Sequence, residues 1–273
     1  MTHEATRTVL TGNLLAGKRG LVMGVANEKS IAWGIAQAAA AQGAEIAFSY
    51  QMEGFGKRLA PLAASIGSSI MIECDVAQPG AVARCFAKLA TEWPQIDFVV
   101  HALAFSDKAE LKGQYLNTSR DNFANTMMIS SFSFTEIAQA ARPMMTNGGS
   151  LVTLSFLGAQ RSTPNYNVMG VAKAALEASV RYLAVDLGGQ NIRVNGISAG
   201  PMRTLAGAAI TGARHIFRHS EEHAPLQRNP RLEEVGRAGL YMISDLSSGV
   251  TGEIHFVDGG LNTVGIPHDS SQG

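Results

Sequence analysis

The chain has 273 residues, 46% hydrophobic and 16% charged, and its 22 Lys and Arg balance 22 Asp and Glu. A composition this apolar excludes a disordered chain, and zero net charge removes the broad field that would steer nucleic acid or an anionic membrane. Two cysteines, Cys74 and Cys85, exclude a disulfide framework or a four-cysteine zinc site and read as small core residues of a reducing compartment.

The N-terminal stretch carries Glu4 early and no continuous apolar core, so it lacks the form of a secretory signal. The longest charge-free run, residues 143–160, is broken by Asn147, Gly148 and Gly149 and does not suit a membrane span, so a cytoplasmic protein is expected. Along the chain, short β-rich runs alternate with longer helical stretches. Strands are predicted at Arg19–Met23, Glu45–Tyr50, Ser69–Cys74, Ile96–His101, Ser150–Ser155, Arg193–Ser198 and Glu253–Val257. Helices are predicted at Ser30–Gln42, Gly56–Ser65, Pro79–Glu92, Asn122–Met145, Asn165–Leu187 and Glu233–Asp245, with Gly43, Gly148 and Gly188 just past helix ends. Strands such as DFVVHAL and SLVTLSF are apolar throughout their middles, as expected where both sheet faces are covered. Strict alternation predicts an α/β fold, a doubly wound Rossmann-type parallel sheet of seven strands flanked by helices, forming one domain over residues 1–273. Residues 1–12 and 264–273 read as frayed tails. Residues 201–231 break the rhythm, lack strands and follow a strand end, where ligands of such sheets bind, so a substrate lid is expected there.

The first strand runs into GVANEKSIAWGIA, where Gly24 and Gly34 flank a turn and Ser30 is placed to cap a helix starting at Ile31. Such a turn presents N–H groups and a positive helix end to a pyrophosphate, although the spacing is not G-x-G-x-x-G. Strand two ends Ser49-Tyr50-Gln51. Gln51 can hydrogen-bond a ribose hydroxyl or an adenine edge but offers no charge to a 2′-phosphate, which favours NAD(H); Lys57 and Arg58 nearby leave NADP(H) open. Asp75 either accepts from an adenine amino group or starts a helix. Tyr166 and Lys173, seven apart in a predicted helix, would turn through ~700° and share a face. An ammonium beside a phenol of pKa ~10 stabilises the phenolate and assists proton donation to a carbonyl oxygen. His215, His219 and His223 recur every four residues, but Arg214 and Arg218 interleave repelling charge, so a solvated face rather than a metal site is expected. Ser155 and His101 both end strands with no carboxylate placed to orient the histidine, which argues against a hydrolase triad. Met127, Met128, Met144 and Met145 read as core or subunit packing, and Asp258-Gly259-Gly260 as a turn.

The blocks GVANEKSIAWGIA, HALAF, SFLGAQRSTPNYNVMGVAK, RVNGISAGPMRTLA and VDGG occur in order. Together, over roughly Leu14 to Asn262, the chain resembles the enoyl-acyl-carrier-protein reductases of the FabI type, within the short-chain dehydrogenase/reductase superfamily. Most of the superfamily separates its tyrosine and lysine by four positions. Here four after Tyr166 is Gly170, and seven-residue spacing marks the enoyl reductase branch.

The resemblance implies an enzyme, a homotetramer, that uses NADH to reduce the trans-2 double bond of an enoyl thioester on acyl carrier protein in fatty-acid elongation. It implies that Tyr166 meets the thioester carbonyl and that Lys173 holds the nicotinamide ribose. Gly24, Ser30 and Ile31 would line the pyrophosphate, Gln51, Asp75 and Val76 would contact the adenosine end, and Leu103 would pack near the cofactor. Met202, Arg203, Thr204, Leu205 and Ala206 would bracket the nicotinamide, with Thr204 near the phosphates; Ser106 would contact substrate, and Leu205 to about Arg218 would form the mobile loop. Many members carry a second tyrosine ten residues before the catalytic one. Phe156 stands there in this chain, as in the mycobacterial type, and can pack against an acyl chain but cannot donate a hydrogen bond. Two rivals stay open at this point: a carbonyl reductase on the same scaffold and an NAD-binding paralogue without turnover.

Overall fold

In the computed structural model, which describes residues 10–205, 207 and 212–266, β1 (Arg19–Met23) lies between β2 (Glu45–Tyr50) and β4 (Phe98–His101). β3 (Met71–Glu73) flanks β2, while β5 (Gly149–Ser155), β6 (Ile192–Ala199) and β7 (Ile254–Val257) extend the other half. The seven-stranded order is β3-β2-β1-β4-β5-β6-β7, parallel throughout, so every predicted strand forms. The order reverses between β1 and β4, which opens a crevice at their carboxyl ends. β3 is shorter than expected because, at the edge, it has only β2 as a ladder partner.

Side chains on β1 alternate between two apolar layers. Leu21 and Met23 join the layer covered by α3 (Ala81–Glu92), α5 (Ser133–Ala141) and α6 (Val168–Gly188). Val22 joins the layer under α1 (Ile31–Ala40), α2 (Glu53–Ser65) and α8 (Leu232–Ile243). Phe48, Phe98 and Phe134 are fully buried, each stabilising the fold by about 1.5–3 kcal/mol through transfer from water. The cysteines Cys74 and Cys85 are free and buried in the first layer, and Met144 and Met145 are buried there too.

α1 and α8 meet backbone to backbone. A Cβ on Gly236 would stand 2.5 Å from the Gly34 carbonyl oxygen, and one on Gly34 would stand 2.8 Å from Leu232 Cγ. Gly236→Ala is therefore expected to cost about 1–3 kcal/mol by overpacking, read as a lower urea midpoint with unchanged slope. An unchanged midpoint would mean that the two helices part freely.

Two helices depart from expectation. The stretch predicted as Asn122–Met145 begins as α4 (Arg120–Met127), whose cap Ser119 accepts from Asn122 N–H at 3.2 Å. It then widens into a π-helical turn at Met128–Phe132, resumes as α5, and tightens to a 3₁₀ turn at Arg142–Met144. The predicted Asn165 start of α6 fails as well, since the helix begins at Val168 and Tyr166 precedes it. Asn165 and Asn167 adopt positive φ, 59° and 43°, which asparagine tolerates better than most side chains, and this keeps the turn out of the helix. At the far end Gly188 is the last helical residue, and Asn191 takes the positive φ of 58°.

Candidate active site

At the crevice between β1 and β4, the chain passes close to the Ala102 carbonyl because Gly24 has no side chain. Its φ is +96°, and a Cβ there would collide with the Ala102 carbonyl at the end of β4. From Gly24 a turn leads to α1. Ser30 does not cap that helix as expected: its Oγ accepts from Ala26 N–H (3.0 Å) and Asn27 N–H (3.1 Å), tying the turn back on itself. Ile31 and Ala32 then line the crevice at the positive end of α1, a setting suited to phosphate oxygens.

The crevice opens into a cavity of about 1350 Å³. At one end Gln51 Nε2 donates to Asp75 Oδ1 at 3.3 Å, with Val76 beside them. Asp75 also accepts from Ala77 N–H, and α3 begins only at Ala81, so Asp75 shapes a turn rather than starting a helix. Leu103 lines the middle. At the other end stand Met202, Thr204 and Leu205, with Thr204 Oγ1 accepting from Gly207 N–H at 3.0 Å. Arg203 is not among the cavity-lining residues. Its guanidinium lies 6.0 Å from the Phe217 ring, beside an adjacent cleft, because the chain turns tightly there: Thr204 N–H donates to the Met202 carbonyl at 2.8 Å, which leaves Arg203 at the apex of the turn. Ala206 lies outside the described residues.

Tyr166 and Lys173 share this cavity, the tyrosine in its asparagine-flanked turn and the lysine inside α6. Lys173 Nζ donates to the Leu154 carbonyl oxygen at 2.7 Å. Burial lowers its pKa to about 8, while the Glu177 carboxylate one helical turn on opposes the shift. Burial, and then the Glu177 charge, pushes the Tyr166 phenol well above its ordinary value. Both causes favour the protonated phenol, an O–H donor, over the phenolate. The Phe156 ring meets Tyr166 edge-on at 5.0 Å between centroids, and Gly158 packs so closely on the tyrosine ring that a Cβ there would collide with it.

Ser106 exchanges hydrogen bonds with Asn122 at 3.2–3.3 Å, and Ser130 Oγ holds both the N–H (2.9 Å) and the carbonyl (3.0 Å) of Phe105. The loop after β4 is thus pinned to α4 and the π-turn. His101 is fully buried, with Nδ1 2.8 Å from Thr153 Oγ1 and Nε2 2.8 Å from Ser133 Oγ. Both hydroxyls also donate to backbone, Ser133 to the Ile129 carbonyl at 2.7 Å and Thr153 to the His101 carbonyl at 3.3 Å. Ser155 donates instead to Glu177, so the histidine and this serine are not joined in a triad.

Burial, and then the Lys173 charge, lowers the His101 pKa to about 3 from 6.5. The unfolded chain therefore binds the extra proton first, and stability present above pH 6.5 is lost as pH falls toward 3. At pH 5 the expected loss is about 2 kcal/mol, and His101→Phe is expected to flatten that limb in urea unfolding at pH 7 and pH 5. Parallel curves for the two proteins would refute this.

The sequence reading missed Glu177, Asn122 and Ser130, and the apolar wall of Leu111, Met169 and Ile216. Glu177 left a signal: an acid between the buried Leu176 and Val180, four residues after Lys173. α7 (Ala213–His223) aligns His215, His219 and His223 as a ladder of rings with centroids 6.4 and 4.4 Å apart. Among the described residues no group of three or more His, Cys, Asp or Glu is arranged to hold a metal ion, and no helix is long and apolar enough to cross a membrane.

The family model described as Enoyl-(Acyl carrier protein) reductase matches residues 24–262. A curated relative, enoyl-[acyl-carrier-protein] reductase [NADH] 2 of Rhizobium meliloti, is 58% identical over 254 residues, 93% of this chain and 95% of that protein. The crystal structure of the enoyl-(acyl-carrier-protein) reductase of Anaplasma phagocytophilum in complex with NAD matches with TM-score 0.92 and 55% identity, covering 96% of this chain and all (100%) of that one. The Bacillus cereus reductase with NADP+ and an indole naphthyridinone matches with TM-score 0.91 and 46% identity, covering 93% and 100%. A glycine-gated crevice, a buried tyrosine and lysine seven residues apart, and likeness along nearly the whole chain lead to one conclusion: the chain belongs to the enoyl-(acyl carrier protein) reductase family.

Proposed function

We propose that Tyr166 and Lys173 carry the family's reaction in this cavity, the NADH-dependent reduction of the trans-2 double bond of an enoyl thioester on acyl carrier protein. The protein is an oxidoreductase of type II fatty acid biosynthesis. Bound NADH supplies the hydride that reaches the β-carbon. The chain's own residues handle the charge that then develops on the thioester oxygen: the neutral Tyr166 O–H donates to it, and the buried Lys173 ammonium offsets it. Gly24 and the start of α1 receive the pyrophosphate, Gln51, Asp75 and Val76 the adenosine end, Leu103 the middle of the cofactor, and Lys173 the nicotinamide ribose. Met202, Thr204 and Leu205 bound the nicotinamide; Ser106 and Phe156 meet the substrate. NADH over NADPH is supported by the Gln51–Asp75 pair, which brings an acid rather than a cation to the adenosine end, and by Lys57, whose ammonium is 2.7 Å from Glu53.

The carrying observation is that a buried tyrosine and a buried lysine line one cavity large enough for a dinucleotide and an acyl chain. The test is the loss of NADH absorbance with crotonyl and longer trans-2-enoyl thioesters, with NADPH in parallel. Binding of NADH without oxidation across that series would reject the reading.

The same reading takes the chain as one dinucleotide-binding and catalytic domain, with residues 201–231 as a lid whose Ile216 and Phe217 reach the cavity. It also takes the protein as a cytoplasmic homotetramer. Exposed apolar side chains on α4 through the π-turn (Phe123, Met128, Phe132) and on α6 (Tyr182, Val185) support subunit packing there, which light scattering tests.

A further inference from the structure

We propose that Glu177 is a positioning residue for the reaction, its buried carboxylate keeping the Lys173 ammonium charged within the cavity wall. The inference rests on the roles given above to Tyr166 and Lys173.

Lys173 is almost wholly buried, and its one hydrogen-bond acceptor among the described residues is the neutral carbonyl of Leu154. A buried ammonium with no opposing charge gives up its proton readily. The titratable groups around it come from three elements. His101 on β4 is held neutral between Thr153 and Ser133, Tyr166 in the turn before α6 is a neutral phenol, and Glu177 on α6 is the acid. α5 presents the uncharged Ser133.

Glu177 lies one turn from Lys173 on the same helix face, where side chains four apart are neighbours. Its carboxylate does not close onto the lysine, however. Oε1 accepts from Ser155 Oγ at 2.6 Å and Oε2 from Gln160 Nε2 at 3.2 Å. Ser155 ends β5, and Gln160 closes the 3₁₀ turn Leu157–Ala159. Both carboxylate oxygens are thus fixed by elements other than α6. The charge stays near enough to act through its field, while the ammonium hydrogens remain available to Leu154 and to a ligand.

The test compares the parent protein with Glu177→Gln, Glu177→Asp and Ser155→Ala from pH 6 to 10. Two quantities are read: kcat/KM for NADH with a crotonyl thioester, and NADH affinity by fluorescence without any enoyl substrate. Glu177→Gln is expected to move the alkaline limb of both profiles down by about one to two pH units, and Glu177→Asp to restore it. Ser155→Ala frees the carboxylate to approach the lysine and is expected to move the limb up. A Glu177→Gln profile that falls by the same factor at every pH would assign the residue a structural role only and overturn the proposal. If that variant does not fold, Ser155→Ala decides, and an unmoved limb overturns it. A parent protein that oxidises no NADH with any enoyl thioester defeats the functional reading instead, and the NADH-affinity limb still tests Glu177.

Discussion

Replacing Tyr166 by phenylalanine is expected to lower turnover about 10²–10³-fold while leaving NADH affinity unchanged. The reasoning is steric and electrostatic together. The ring is buried between Phe156 and the Gly158 turn, and phenylalanine occupies the same space, so the cavity keeps its shape. What disappears is one O–H, which burial and Glu177 keep protonated well above the ordinary tyrosine range. A donor that does not ionise is suited to an oxygen that gains charge only as the reaction proceeds, so its loss falls on the transition state rather than on binding. Steady-state turnover beside a fluorescence titration with NADH separates the two. Turnover within a few-fold of the parent would remove the tyrosine from its role.

Lys173→Met is expected to act on binding as well, lowering NADH affinity at least about tenfold through loss of charged hydrogen-bond donors. The same substitution reports on folding. The folded pKa is about 8 and the ordinary value 10.5, so between these the unfolded chain holds the extra proton. Stability attached to this group is therefore present above pH 10.5 and lost as pH falls through 8, a difference of about 3 kcal/mol. Urea unfolding of the ligand-free protein should show that alkaline gain, and the methionine variant should lack it. A variant with the parent's slope would show that the lysine carries its charge without penalty.

Apolar patterning made the sheet legible: runs such as DFVVHAL announce strands covered on both faces, and all seven predicted strands form. The tyrosine–lysine pair was legible by residue type and spacing, but the geometry assigned to it was not. Two asparagines at positive φ lift Tyr166 off the helix, and helical periodicity carries no information about a turn of that kind. Ser30 looked like a cap because serine before a helix usually is one; here the preceding turn competes for its hydroxyl and wins. Arg203 sat within a run of cavity residues, yet the Met202–Thr204 turn puts it at an apex beside the Phe217 ring. Glu177 was passed over because one acid inside an apolar helix face looks like an interruption until Ser155 and Gln160 are seen to hold it.

The π-helical turn at Met128–Phe132 gives the chain one residue more than an unbroken helix would need there. Within the turn Ser130 meets the backbone of Phe105, and just after it Ser133 meets His101. Deletion scanning of this stretch should then reverse the usual relation between regularity and fitness. Removing a single residue here would make the helix more ideal and its peptide more helical in isolation, yet would swing both hydroxyls away from the sheet, untying the loop after β4 and stranding the histidine. The irregularity is an insertion the protein has reason to keep.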